Sequence, residues 1–351
     1  MSGRPPVSAR AGDIGELALI RRIARLARRA GGGRGVALGI GDDAALLRAR
    51  PGEDIATSCD ARVQGVHFRF DWESPRGAGR RALVAGLSDL AAMGARPLGF
   101  TLALAAPPAA PLPQLLGLLR GLLEVAQAAR CPLVGGNLSR AGEISLTVGC
   151  LGALRRGRAL RRDAGRPGDG VFVTGALGRA ALDRARGRVR YVPPLRLAAG
   201  QALARLAGAG ACVDLSDGLL ADLGHLCRSS GVGAALDCAA LPLPPRFAAA
   251  ARRAGCDALR LALCGGEDYE LLFTLRPGAA PAALSRRLGA PVTQIGTLRK
   301  PRGIRLQNAP VDWREEHGGR EERSGGNERG RAGGRGADLR GGWQHFQPEA
   351  A

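Results

Sequence analysis

The sequence predicts a mixed α/β (α+β) protein of two domains, and three observations lead there. Short apolar strands alternate with helical stretches in both halves of the chain. A polar, Arg-rich run from Arg155 to Gly170 divides the halves, as a domain junction would. The 351 residues exceed what one core usually carries, and 45% apolar content leaves enough to bury in both halves.

Ile14 to Ala30 sets Leu17, Ile20, Ile23, Ala24 and Ala27 at helical spacing, so an amphipathic helix comes first. Strands are expected near Val36–Ile40 and Ile55–Cys59, then a helix over Gly77–Met93. A strand near Leu98–Leu104, a helix over Pro113–Arg130 and a strand over Ile144–Leu151 complete the first half. The uncharged run Pro97–Leu119 is long enough to span a bilayer, but Pro97, Pro107, Pro108, Pro111 and Pro113 break it into strand, turn and helix. No membrane span is expected.

Past the junction, strands are expected at Val171–Thr174, Cys212–Leu215 and Leu271–Leu275, with helices at Pro194–Leu206, Gly218–Cys227 and Pro281–Leu288. The division expected is 1–153 and 154–312. Residues 313–341, with the Gly/Arg/Glu run Arg314–Arg340, read as a disordered insertion, because so few apolar groups cannot offset the ordering entropy. A short segment, 342–351, follows it.

Lys and Arg outnumber Asp and Glu by 51 to 31, for a net charge of +20. Lys300 is the only lysine, in a loop-like run, which excludes a P-loop, a protein-kinase strand lysine and a pyridoxal Schiff base. Eight cysteines form no Cys-x-x-Cys pair, so buried thiols in a reducing cytoplasm are expected. Arginines interrupt the first apolar helix, so it does not read as a secretory signal. Between Arg155 and Arg196, twelve arginines face three aspartates, which raises nucleic-acid binding as a reading. Phe172 and Tyr191 are the only aromatics there, and arginine replaces lysine throughout, which argues compositional bias instead.

Most of the chemistry lies in acids that follow strands or open helices: Gly39-Ile40-Gly41-Asp42-Asp43, Cys59-Asp60, Ser88-Asp89, Asp214-Leu215-Ser216-Asp217-Gly218 and Gly265-Gly266-Glu267-Asp268-Tyr269-Glu270. Singly, each would be an ordinary turn or helix cap. Together they cluster where strands end, the place where α/β folds gather ligands. Two carboxylates about 5 Å apart repel by roughly 3 kcal/mol at an effective dielectric near 20, so such a group needs cations. Oxygen donors without His or Cys partners suit Mg²⁺, and with it a polyphosphate. The residues thus point to metal-dependent phosphoryl transfer without a P-loop.

These motifs, with Gly65-Val66-His67-Phe68, Leu87-Ser88-Asp89-Leu90-Ala91-Ala92-Met93-Gly94-Ala95 and the closing Gly342-Trp343-Gln344-His345-Phe346, resemble the thiamine-monophosphate kinase family. That family belongs to a superfamily with aminoimidazole ribonucleotide synthetase and selenophosphate synthetase. The resemblance runs in order across residues 15 to 312 and again at 342 to 346. It implies a two-domain synthetase-like fold whose N-terminal mixed sheet, with its helices, pairs with a second subunit in a homodimer. A C-terminal α/β domain would cover the nucleotide. The implied activity is ATP-dependent phosphorylation of thiamine monophosphate, with several Mg²⁺ ions. By position, Asp43, Ser58, Cys59, Asp60, Asp89, Asn137, Asp214 and Asp217 correspond to metal contacts, Cys59 through its carbonyl because a thiol is a poor Mg²⁺ ligand. Gly136, Asn137, Arg162 and Ser216 correspond to nucleotide contacts, and His67, Glu267 and Trp343 to thiamine monophosphate contacts.

No catalytic general base is expected, because a phosphate monoester is largely deprotonated at neutral pH. Phe68, Phe70, Trp72, Tyr269, Trp343 and Phe346 fall in or beside motifs, where they are either substrate contacts or anchors of a small core. The chain departs from the family at Gly135-Gly136-Asn137-Leu138-Ser139, where Asn137 replaces an Asp and predicts weaker binding of one Mg²⁺. The insertion before Gly342 is a second departure. Among sister enzymes, a hydrogenase-maturation protein should end in Cys, and selenophosphate synthetase should carry a reactive Cys in an early Gly-rich loop. Neither feature is present. Aminoimidazole ribonucleotide synthetase stays as the alternative through shared fold.

Overall fold

A computed structural model of the chain describes residue 10, residue 13, and residues 16–31, 35–40 and 44–310. Asp43, Trp343 and the segments 313–341 and 342–351 lie outside the described residues. The first half runs α1 (Glu16–Arg29), β1 (Val36–Leu38), β2 (Leu46–Leu47), β3 (Glu53–Val63), α2 (Pro75–Ala92), β4 (Arg96–Ala106), α3 (Leu112–Ala129), β5 (Leu133–Arg140) and β6 (Ser145–Arg155). The second runs β7 (Gly170–Thr174), α4 (Arg179–Ala185), α5 (Leu197–Leu203), β8 (Ala209–Asp214), α6 (Leu219–Ser230), β9 (Gly233–Asp237), α7 (Phe247–Arg253), α8 (Ala258–Cys264), β10 (Leu271–Leu275), α9 (Pro281–Leu288), β11 (Val292–Arg299) and β12 (Gly303–Gln307).

The first half builds a four-stranded sheet of order β3-β6-β4-β5. Only β4 and β5 run parallel, because α3 carries the chain back between them. Helix α2 starts where Ser74 accepts a hydrogen bond from the Gly77 N–H at 3.1 Å and Pro75 sets the first turn. It is apolar nearly all round because α3, α5 and the sheet enclose it. Strand β5, which holds Gly135-Gly136, is absent from the sequence expectation. Gly136 fits there because a Cβ would lie 2.0 Å from the Leu102 carbonyl oxygen of β4.

The second half builds a six-stranded sheet of order β12-β9-β11-β7-β10-β8. β7 and β10 are buried at every position, which explains their unbroken apolar runs. One core lies between the first sheet, α2 and α3 and continues onto the second sheet through Phe172 and Phe273, stacked 5.6 Å apart. Another fills the opposite face of the second sheet, under α6 and α8. Phe68 and Tyr269 are buried in the first core, 1% and 6% exposed, so these two aromatics anchor packing. Among the described residues, no helix is long and apolar enough to cross a membrane.

Candidate active site

Strand β3 delivers its side chains alternately to two faces. Ser58 and Asp60 face α2, while Cys59 lies on the exposed face, so its thiol points away from them. The Ser58 hydroxyl donates to the carboxylate of Asp89, which α2 brings across from the other side. Opposite Ser58 in register sits Cys150, a buried thiol that burial raises well above the ordinary range. The carboxylates of Asp89 and Asp60 both add to that rise, which places the two acids around one spot.

Asp214 arrives at the end of β8, 3% exposed. Burial and then the Asp89 carboxylate push it up to about 7, so the two halves bring their acids into electrostatic reach of each other. The turn after it is built on Asp222, which the sequence reading missed. One Asp222 oxygen accepts the backbone N–H groups of Asp217 and Gly218, both at 3.1 Å. Burial, followed by Asp214 and Asp217, raises Asp222 to about 8. The acidic turn before β10 packs on this one backbone to backbone: Glu267 N–H donates to the Ser216 carbonyl at 2.8 Å, and Tyr269 N–H to that of Leu215 at 2.9 Å.

Glu267 is the centre of an arginine cluster. Its Oε1 accepts from Arg62 at 2.8 Å, and its Oε2 from Arg81 at 2.6 Å and Arg184 at 2.7 Å. Burial opposes the charge, but these three guanidiniums prevail and hold the carboxyl at about 2. Glu267 and Tyr269 both take positive φ, 66° and 49°, so the turn is strained and the ion pairs hold it. Glu73 is buried beside Arg81, and burial raises its pKa. His67 sits in the turn after β3, where its Nδ1 accepts the Val63 N–H at 3.0 Å, leaving the neutral ring's proton on Nε2. The sequence reading missed Arg62 and Arg81, which no local pattern sets apart from the chain's many other arginines.

The structure therefore sets Ser58, Asp60 and Asp89 around Cys150, brings Asp214, followed by Ser216 and Asp217 in its turn, within electrostatic reach of Asp89, and places His67 and Glu267 beside Arg62. Arg162 is exposed yet close enough to lower Asp214. Asn137 is not in this group. It pairs with Ala103 on the exposed face of the first sheet, whereas Gly136 shares a row with Leu102, Val148 and Asp60. Among the described residues, no three His, Cys, Asp or Glu side chains are drawn close enough to form a finished metal cage. The donor set still fits Mg²⁺, being carboxylates and a hydroxyl whose charge is left uncompensated on the buried Asp214.

A family model described as AIR synthase related protein, N-terminal domain, matches residues 41–154. The thiamine-monophosphate kinase of Salmonella typhimurium is 41% identical over 283 residues, covering 75% of this chain and 84% of that protein. The crystal structure of thiamine-monophosphate kinase from Stenotrophomonas maltophilia K279a superposes with a TM-score of 0.72 at 36% identity, over 84% of this chain and 97% of that one. AaThiL complexed with AMPPCP and TMP superposes with a TM-score of 0.65 at 26% identity, over 88% and 98%. With its acids gathered at the meeting of two mixed α/β halves and these relatives covering most of its length, the chain belongs to the thiamine-monophosphate kinase family, within the AIR synthase-like superfamily.

Proposed function

We propose that this chain transfers the γ-phosphate of ATP to the phosphate of thiamine monophosphate, in line and without a covalent intermediate or general base. The observation that carries the reading is the approach of Asp89, on α2 of the first half, to Asp214 at the end of β8 in the second, in a chain whose relatives bear this name. Asp60, Asp89, Asp214 and Asp217, with Ser58 and Asp43, would hold Mg²⁺, and the Cys59 carbonyl would join them. Bound there, Mg²⁺ would neutralise and orient phosphate oxygens.

The chain's own residues do the rest. Ser216 and the free N–H groups where α6 opens receive donor phosphate, and Arg162 faces its charge. The acceptor monoester is already largely deprotonated, so positioning and charge neutralisation carry the rate. His67 offers its Nε2–H toward the acceptor side. Glu267, with Arg62, Arg81 and Arg184 on both its oxygens, fixes the turn behind the acceptor as well as contacting it. Trp343 would complete the acceptor side with an aromatic face for the thiazolium cation.

Asn137 would enter through the homodimer, while Gly136 keeps its row with Asp60 on the nucleotide side. The exposed face of the first sheet, with Ile55 52% exposed, would be covered by the same face of a second copy. Asn137 could then serve a site shared between copies. Nucleic-acid binding is disfavoured because the Arg155–Arg196 stretch has only Phe172 and Tyr191 as aromatics, and Phe172 is buried in the core. The test is an assay with ATP and Mg²⁺ that offers thiamine monophosphate beside aminoimidazole precursors. Thiamine diphosphate and ADP in equal amounts are expected. Consumption of the aminoimidazole precursor alone would overturn the assignment in favour of the sister enzyme.

A further inference from the structure

We propose that the arginine-lined cavity between the two halves is a second anion site, distinct from the carboxylate pocket, for a small metabolite bearing two or more phosphate groups. The cavity holds about 450 Å³, and Arg50, Arg96, Arg155, Arg158 and Arg205 line it with a single acid, Glu53. That volume suits a nucleotide-sized molecule. Its uncharged wall includes Ala153, Leu154 and Ala204, which leaves room for an apolar body behind a charged head.

The lining carries a clear excess of positive charge. Glu53 is already taken by Arg96, at 3.0 and 3.2 Å, and by the backbone N–H of Arg50 at 2.9 Å. Among the described residues, Arg155, Arg158 and Arg205 make no ion pair, as is true of other surface arginines, but these three line one concavity whose one acid is already engaged. Unpaired guanidiniums converging on one concavity repel one another until an anion joins them. Guanidinium forks match phosphate oxygens two at a time, so several of them suit a di- or triphosphate better than a lone carboxylate.

The cavity also stands apart from the reacting groups. Glu53 opens β3 seven residues before Asp60, roughly 23 Å along an extended strand at 3.3 Å per residue. Its two walls come from the strand ends of the first half and from the end of α5 in the second. α5 rests directly on α2, since a Cβ at Gly200 would lie 1.9 Å from the Ala91 carbonyl oxygen, and α2 carries Asp89. A ligand bridging the cavity thus ties the two halves together without touching the phosphates in transfer.

The test is calorimetric titration of the full chain with inorganic tripolyphosphate in EDTA, where the metal-free carboxylate pocket repels polyanions. One equivalent is expected to bind, at least tenfold more weakly to Arg155→Glu/Arg158→Glu and unchanged in Asp214→Asn. Arg158→Ala, a single change at an exposed turn, should show an intermediate loss and serves if the double variant does not fold. Parallel titrations with ADP and with thiamine diphosphate separate nucleotide from product as the source of the phosphates. Equal affinity in wild type and the arginine variants would overturn the proposal. So would loss of binding in Asp214→Asn, or sulfate binding as tightly as tripolyphosphate.

Discussion

Glu267→Gln should destabilise the protein in a way that can be read against pH. The carboxylate is bonded to three guanidiniums, two of which, on Arg62 and Arg81, have side chains only 2% and 3% exposed. The amide keeps the shape and removes the charge, leaving Arg62 and Arg81 with Glu73, which burial already pushes toward its neutral form. The Glu267 carboxyl is held at about 2 against an ordinary 4.5. At about 1.36 kcal/mol per pKa unit, this difference amounts to about 3 kcal/mol. Removing one partner of a buried ion pair usually costs about 3–5 kcal/mol, so the two routes agree.

For a protein of this size, about 3 kcal/mol lowers Tm by roughly 4–5 °C. The sign follows from the depressed pKa: the stabilisation is fully present above the ordinary 4.5 and is lost as pH falls through about 2. Calorimetric melting of both proteins should therefore show a constant gap from neutral pH down to about 5, narrowing below the ordinary carboxylate pKa. A variant that melts within about 2 °C of the wild type at neutral pH, or a gap indifferent to acid below 4.5, would refute the reasoning.

Gly136→Ala should fail to fold or melt far lower even without nucleotide, because its Cβ would press into the Leu102 carbonyl at 2.0 Å; a soluble variant with wild-type Tm would contradict the tight β4–β5 approach. Asp222→Ala removes the acceptor for the Asp217 and Gly218 N–H groups, and should raise KM for ATP several-fold while CD spectra stay unchanged. An unaltered KM would show that the turn holds itself. Asp214 is raised to about 7, so its neutral form favours the metal-free fold below the ordinary 3.8, a contribution lost as pH rises through about 7. Added Mg²⁺ should accordingly raise Tm more at pH 8 than at pH 6, and equal increments at both would argue against Asp214 as a ligand.

Much of this was legible in the sequence, and what was not has physical causes. β10 and α9 have the expected bounds because apolar runs and a leading Pro281 mark them. β5 was hidden because Gly135-Gly136 is turn chemistry to any local rule, and only the Leu102 backbone beside it explains two glycines in a strand. β9, β11, β12 and helices α4, α7 and α8 also went unread; the helices are seven residues each, too short to show a period. At the site, the acids at strand ends stood out by type and place. Asp222 did not, since its value lies in two N–H groups folded back onto it. Asn137 shows the limit of position alone: matched to a motif it belongs with Asp60, but strand parity turns it to the other face.

Charge pairing explains why the acids at the strand ends matter in a chain with a net charge of +20. Several described acids elsewhere are taken by arginine: Glu53 by Arg96, Glu124 by Arg76 and Arg80, Asp169 by Arg276, and Glu270 by Arg196. With arginine so abundant, substitution could supply a partner to almost any carboxylate. Asp89, Asp214 and Asp222 nonetheless make no ion pair with one, and the latter two bear the cost as pKa values raised to about 7 and 8. An arginine placed among them would relieve that repulsion and also occupy the space between. On the proposed mechanism, leaving it out keeps these carboxylates available to a mobile divalent cation that would enter and leave with its phosphates, which a tethered guanidinium cannot do.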